Sequence, residues 1–206
     1  MKETAREALD ALSRRGAEYG DVRVIHSRDR GLAVKSGKVG HLSAGDSLGA
    51  GLRVLIDGCW GFAATDDLSA AGIEDAAELA VDIARAGINA RKEPVALSPE
   101  RAHQAEWSSP CQIDPFSISV EAQLALLMAV DEELRRHKGV TMTEAGVTME
   151  RRRQIFASTE GSWIDQTRTV TGAGFAAHSF QDNDIQKRSY PNSFGGQYQL
   201  KGWELI

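Results

Sequence analysis

Apolar and polar positions alternate from Leu48 to Ile56: Leu52, Val54 and Ile56 fall on one side and Arg53 and Leu55 interrupt them, the two-residue period of a sheet. Asp57-Gly58 supplies the positive backbone angles of a tight hairpin, and Cys59 to Ala64 reads as the returning strand. Ser69 then has the chemistry of a helix cap. Its hydroxyl accepts from a free amide of the first turn, while Leu68 and Ile73 have the spacing of a hydrophobic staple.

The same reading extends in both directions. A first helix is predicted from Lys2 to Arg15, with Ala5, Ala8, Leu9 and Leu12 on one face and Gly16 as its stop. The period then changes to that of strands, at Asp21 to Ser27, Arg30 to Lys35 and Lys38 to Ser43, with a turn at Ser36-Gly37. A helix from Ala70 to Ala86 carries a stripe of small residues suited to lying on a sheet, and Gly87 ends it. From Ile88 to Phe116 periodicity fades and Pro94, Pro99, Pro110 and Pro115 appear, which predicts a long connection.

Beyond it, Ser119 caps a helix predicted to reach Lys138, with Leu124, Leu127, Val130 and Leu134 toward a core, Arg135 to Lys138 complementing the helix dipole and Gly139 ending it. Strands follow at Val140 to Met149, Gln154 to Thr159, Ser162 to Phe180 and Ile185 to Tyr190. The pattern is an α+β fold of two units, each with helices packed on mostly antiparallel strands: residues 1–87, a Pro-containing connection 88–118, and residues 119–206.

Composition removes several classes of function. The 206 residues are 42% apolar and 26% charged, which suits a sizeable core, and no segment approaches the roughly 20 uninterrupted apolar residues of a membrane span. The N-terminus runs directly into a charged amphipathic helix without the apolar stretch of a signal peptide, so a cytoplasmic location is expected. A net charge of −5 gives no broad electrostatic attraction to nucleic acid. Arg151-Arg152-Arg153 is the one basic run, read as a solvated sheet edge or turn. Cys59 and Cys111 are too few for a disulfide framework and lack metal-type spacing.

Catalytic motifs do not emerge. His26, His41, His103, His137 and His178 are scattered, without the paired spacing of a zinc helix. Neither a Gly-x-Ser-x-Gly elbow nor a phosphate loop occurs, and Gly172-Ala173-Gly174 runs on without a helix start, against a dinucleotide site. Asp66-Asp67 precedes a helix, where the dipole explains the charges. Trp60, Phe62, Trp107, Trp163 and Trp203 have the size to anchor either a core or a peptide groove.

Leu48-Gly49-Ala50-Gly51-Leu52-Arg53-Val54 followed by Trp60-Gly61-Phe62-Ala63-Ala64-Thr65-Asp66-Asp67-Leu68-Ser69 resembles the N-terminal region of the TldD/PmbA family, also described as modulators of DNA gyrase. Tyr19-Gly20-Asp21-Val22-Arg23, Asp114-Pro115-Phe116, Ser158-Thr159-Glu160-Gly161 and Arg188-Ser189-Tyr190-Pro191 fall in the family's order, so the resemblance covers nearly the whole chain. It implies a cytoplasmic zinc metallopeptidase acting on unfolded peptides, with its active site formed in a dimer of two-domain subunits.

In the family a His-Glu-x-x-x-His motif and a later cysteine bind zinc in the C-terminal domain, and the sequence reaches Ile206 without either motif or ligand set. No catalytic or metal residue is therefore carried over, and the segment alone is expected to be inactive and to bind no zinc. The resemblance implies a non-catalytic substrate-chamber domain of a TldD-like peptidase, and the number of hairpins with free edges adds the expectation that its sheets hold unfolded peptides by strand addition. Trp60, Phe62, Phe194, Gly195 and Gly196 are its candidate peptide contacts. The alternative is a PmbA-like, metal-free partner subunit or a stand-alone peptide-binding module. The partners implied are an unfolded peptide and a TldD/PmbA-type subunit in a homodimer or heterodimer, with no nucleic acid or membrane.

Overall fold

The computed structural model describes residues 1–192 and 197–206. Three helices, α1 (Lys2–Arg14), α2 (Ala70–Gly87) and α3 (Val120–Arg135), accompany eight strands: β1 (Tyr19–Lys35), β2 (Lys38–Ile56), β3 (Cys59–Thr65), β4 (Gln104–Ser108), β5 (Met142–Ser158), β6 (Trp163–Gln181), β7 (Asp184–Tyr190) and β8 (Gln197–Gln199). The strand order is β3-β2-β1-β5-β6-β4, with β7 and β8 also pairing with β6. The fold is α+β.

Compactness divides the residues differently from chain order. One unit comprises residues 1–27, 47–107 and 152–167, and the other comprises 28–46, 108–151 and 168–206. Strands β1, β2, β5 and β6 each contribute to both. This is why the sequence breaks β1, β2 and β5 in two where the structure does not. Val22 and Val24 are buried in one core and Leu32 and Val34 in the other. The polar residues between them interrupt the hydrophobic period but not the backbone ladder, which needs no particular side chain.

In the first unit α1 and α2 cover one face of the sheet. Leu12, Val22, Val24, Leu52, Val54, Ile73, Val81 and Ile155 are fully buried there among alanines of both helices. Ser69 caps α2, its hydroxyl accepting from the Gly72 amide at 3.2 Å. The Asp57-Gly58 turn has both residues at positive φ (45° and 66°), which sets the register Ile56 to Cys59, Val54 to Gly61 and Leu52 to Ala63. Gly61 is where β3 meets α2: a Cβ there would lie 1.8 Å from the Ala80 carbonyl oxygen.

In the second unit α3 covers Leu32, Val34, Ala145, Val147 and Met149, with Phe116, Phe175 and Trp203 packed around them. Two polar side chains of α3 are fully buried where the sequence offered an ordinary amphipathic helix. Gln123 donates to the Pro115 carbonyl at 2.9 Å and accepts from Arg30 at 3.0 Å. Asp131 accepts from the Gly37 amide at 2.8 Å, the Thr143 hydroxyl at 2.5 Å and Arg135 Nε at 2.7 Å, tying α3 to the Ser36-Gly37 turn. Burial opposes the Asp131 charge, but these donors outweigh it and hold the carboxyl below its ordinary range.

Two further expectations change. The aperiodic stretch 88–118 contains a strand, β4, whose five residues are all exposed, so no hydrophobic period marks it. Arg151, Arg152 and Arg153 lie in the middle of β5, between β1 and β6, and not at an edge or turn. Arg151 is clamped bidentately by Asp114 at 2.8 and 3.0 Å, and Arg153 by Asp165 at 2.9 and 3.1 Å. Long side chains whose charge is paired lie along a central strand without an unpaired buried charge.

Candidate functional site

A cavity of about 780 Å³ lies in the second unit, lined by residues of β1, β2, β5, β6, β7 and β8. Its lining includes Gly31, Ala33, Gly146, Gly174 and Ala176, so the backbone is open to approach. Tyr198 closes one side, its ring set against Gly172 so tightly that a Cβ there would fall 2.4 Å from it. Tyr190 packs against Phe175 with ring centres 5.8 Å apart.

Charge in this cavity centres on Glu144. Lys35 lies 3.2 Å from one of its oxygens and His178 Nε2 3.6 Å from the other. The Lys35 hydrogen bond is the chief reason its carboxyl is held below the ordinary range. The His178 ring stacks on Phe180, and its buried Nε2 has no hydrogen-bond partner among the described residues. His41 bonds Ser43 at 3.0 Å. Beside the cavity, residues 38–46 of β2 form an outer strand: β3 pairs with β2 only from Ala50 to Ile56, and no other described strand lies on that side. Val39 and Leu42 on this stretch are more than half exposed.

The first unit has its own cleft, about 350 Å³, lined by Tyr19, Arg53, Trp60, Phe156 and the loop residues Leu97 to His103 among others. Opposite the helices, Trp60 stands edge-on to Tyr19 at 5.8 Å, and Arg53 lies over the Trp60 ring at 4.6 Å. Phe62, whose ring covers Gly51, is 58% exposed, so one of the two described peptide-contact candidates is solvent-facing and the other is half-buried. Phe194, Gly195 and Gly196 lie outside the described residues.

Sequence reasoning missed the group that orders this face, the fully buried Asp21. Its carboxylate accepts from Arg23 at 2.7 Å and from Arg53 at 2.6 and 2.8 Å. Burial lowers the affinity of Arg53 for its proton, but Asp21 more than reverses this. Burial first and then Asp21 push the Tyr19 phenol above its ordinary value. The available signal was an acid and bases at alternate positions of neighbouring antiparallel strands, the pattern of cross-strand pairs.

The residues present do not fit a metal centre. Among the described residues no three His, Cys, Asp or Glu side chains gather to hold an ion, and His41 and His178 face Ser43 and Glu144 instead of each other. Cys59 is buried and Cys111 exposed, both free.

Residues 20–84 match the family model described as PmbA/TldA metallopeptidase domain 1. Over these residues the chain is similar to the first domain of the TldD/PmbA family. A metalloprotease of Methanocaldococcus jannaschii is 23% identical over 150 residues, spanning 72% of this chain and 33% of that protein. A metalloprotease of Methanothermobacter thermautotrophicus is 42% identical over 55 residues, spanning 27% of this chain and 12% of that protein. Among solved structures, a Bacteroides thetaiotaomicron protein named "putative modulator of DNA gyrase" shares the fold with a TM-score of 0.72 at 14% identity, over 97% of this chain and 45% of that one. TldE from Thermococcus kodakarensis does so with a TM-score of 0.66 at 13% identity, over 90% of this chain and 42% of that one. The chain thus spans a third or less of the length of these curated TldD/PmbA-type relatives. Among the described residues no helix is long and apolar enough to cross a membrane.

Proposed function

We propose that this chain is the N-terminal, non-catalytic part of a cytoplasmic, TldD-like zinc metallopeptidase, and that it holds unfolded peptide substrates. The observation that carries the reading is the outer strand 38–46 of β2 beside a glycine- and alanine-lined face. A strand edge with no neighbouring strand recognises any extended peptide through main-chain hydrogen bonds, and the glycines and alanines among the lining leave room beside it. Main-chain recognition gives affinity with little sequence preference and rejects folded proteins, whose backbones are already paired.

No residue of this chain is assigned the hydrolytic step; among the described residues no three His, Cys, Asp or Glu side chains gather to hold an ion. The zinc and the reacting water belong to another part of the assembly, and a TldD/PmbA-type subunit, identical or not, is the proposed partner. The test is fluorescence anisotropy of the 206-residue chain with labelled peptides that are disordered in solution, against labelled folded proteins of similar size. Binding of the peptides alone is expected. Failure of every disordered peptide to bind, or equal binding of folded controls, overturns the reading.

A further inference from the structure

The first unit sets two arginines against one buried carboxylate. Asp21 is fully buried, and Arg23 and Arg53 share it while each keeps 41% of its side chain exposed. One carboxylate between two guanidiniums leaves a unit of positive charge. Asp21 engages only Nη1 of Arg23, so the Nε and Nη2 donors of that side chain lie outside the pair. On Arg53 it takes the Nε and Nη2 edge, leaving Nη1 outside.

Both guanidiniums also lie over aromatic rings. Arg23 lies over the Phe156 ring at 4.9 Å and Arg53 over Trp60 at 4.6 Å. Arginines fixed by a buried anion and by aromatic faces have already lost the rotamer freedom that binding otherwise removes. Each guanidinium is planar, and the Nε and Nη2 edge of Arg23 that Asp21 leaves outside the pair is of the kind that matches a carboxylate, where a lysine would offer only a point charge. Exposed Phe62 and half-buried Trp60 on β3 add apolar area next to it, the Trp, aromatic and Arg composition of binding hot spots. The acids that line the neighbouring cleft do not occupy this donor set: Glu100 faces His103 at 3.5 Å, and Glu160 sits in the turn between β5 and β6.

We propose that Arg23 and Arg53 form a carboxylate-binding subsite that selects peptides bearing a free carboxylate, either a C-terminal α-carboxylate or a Glu or Asp side chain. The proposal rests on the peptide-holding reading above and adds a chemical preference to it. The preference is electrostatic at a partly exposed site, so it weakens as salt rises.

The experiment titrates the full chain with four labelled peptides of Gly, Ser and Ala residues. One has a free C-terminus, one has a C-terminal amide, and two further amides carry an internal Glu or Gln. At low salt at least one acid of the two pairs binds about tenfold more tightly than its neutral partner, the factor of one charge-assisted hydrogen bond. The pair that shows the difference names the source of the carboxylate. Arg23→Gln, checked for unchanged thermal unfolding, brings that ratio close to one, and Arg168→Gln leaves it as it was. Equal binding within both pairs overturns the subsite while leaving the peptide-holding reading intact. Equal loss of the ratio in Arg168→Gln assigns it to general charge and also overturns the subsite. Failure of all four peptides to bind overturns both.

Discussion

Replacing Gly61 by alanine adds one methyl group at the closest approach of strand β3 to helix α2. The new Cβ would sit 1.8 Å from the Ala80 carbonyl oxygen, 2.8 Å from the Ala84 nitrogen and 2.9 Å from the Ala80 carbonyl carbon. All three are backbone atoms, so no rotamer change relieves the overlap. Separations under 3.0 Å are essentially never seen for a Cβ, so strand and helix must part by at least 1.2 Å at this point. That gap opens under Ala63, Ile73, Ala76, Ala77, Ala80, Val81 and Ala84, all buried in one cluster. Overpacking of this kind costs about 1–3 kcal/mol where side chains can adjust, and a rigid backbone contact puts Gly61→Ala at about 3 kcal/mol or above. For a chain of 206 residues this corresponds to a fall in melting temperature of about 6–12 °C. Gly87→Ala is the control, because its Cβ would meet Cys59 at an ordinary 3.7 Å and alanine is the better helix former. Both variants are measured by urea denaturation and thermal circular dichroism. A Gly61→Ala protein within 1 kcal/mol of the parent would refute the packing argument.

Two further perturbations have defined outcomes. Arg153 and then Lys2 hold the Asp165 carboxyl at about 2 against an ordinary value of 3.8. A folded-state value below the unfolded one adds stability that is complete above the unfolded value and is lost as pH falls through the folded one. The parent should therefore lose stability relative to Asp165→Asn between about pH 4 and pH 2 in denaturant titrations, and parallel curves across that window would contradict the pairing. Asp131→Ala strips the partner from the Gly37 amide and the Thr143 hydroxyl and frees Arg135. It should cost roughly 2–4 kcal/mol and speed hydrogen exchange at Gly37, whereas unchanged exchange there would show that the carboxylate does not hold the turn.

What was legible in the sequence followed from local chemistry. Asp57-Gly58 and Ser36-Gly37 announce hairpins because few residue pairs tolerate two successive positive φ angles, and both turns adopt them. Ser69 and Ser119 announce helix starts because their hydroxyls replace missing backbone partners, and both accept from the amide three residues on. What was not legible depends on neighbours distant in the chain. Strand β4 is exposed along its whole length, and its pairing to β6 leaves no trace in its hydrophobic pattern. Asp131 looks like one more charge on a helix until Thr143 and Gly37 are brought to it. On the candidate peptide face, Trp60 and Phe62 were visible by size, but Asp21, which positions the arginines beside them, reads as an ordinary strand-entry polar residue. The resemblance to the TldD/PmbA family identified the fold, and it located no reacting group within these residues.

Under the proposed function this chain holds extended peptides without cutting them. Its most direct test follows the anisotropy of an end-labelled, disordered peptide over hours with the 206-residue chain and added zinc. The account predicts a rise on mixing that then stays constant, with the peptide recovered intact. No rise, or a rise that decays as fragments accumulate, would contradict it.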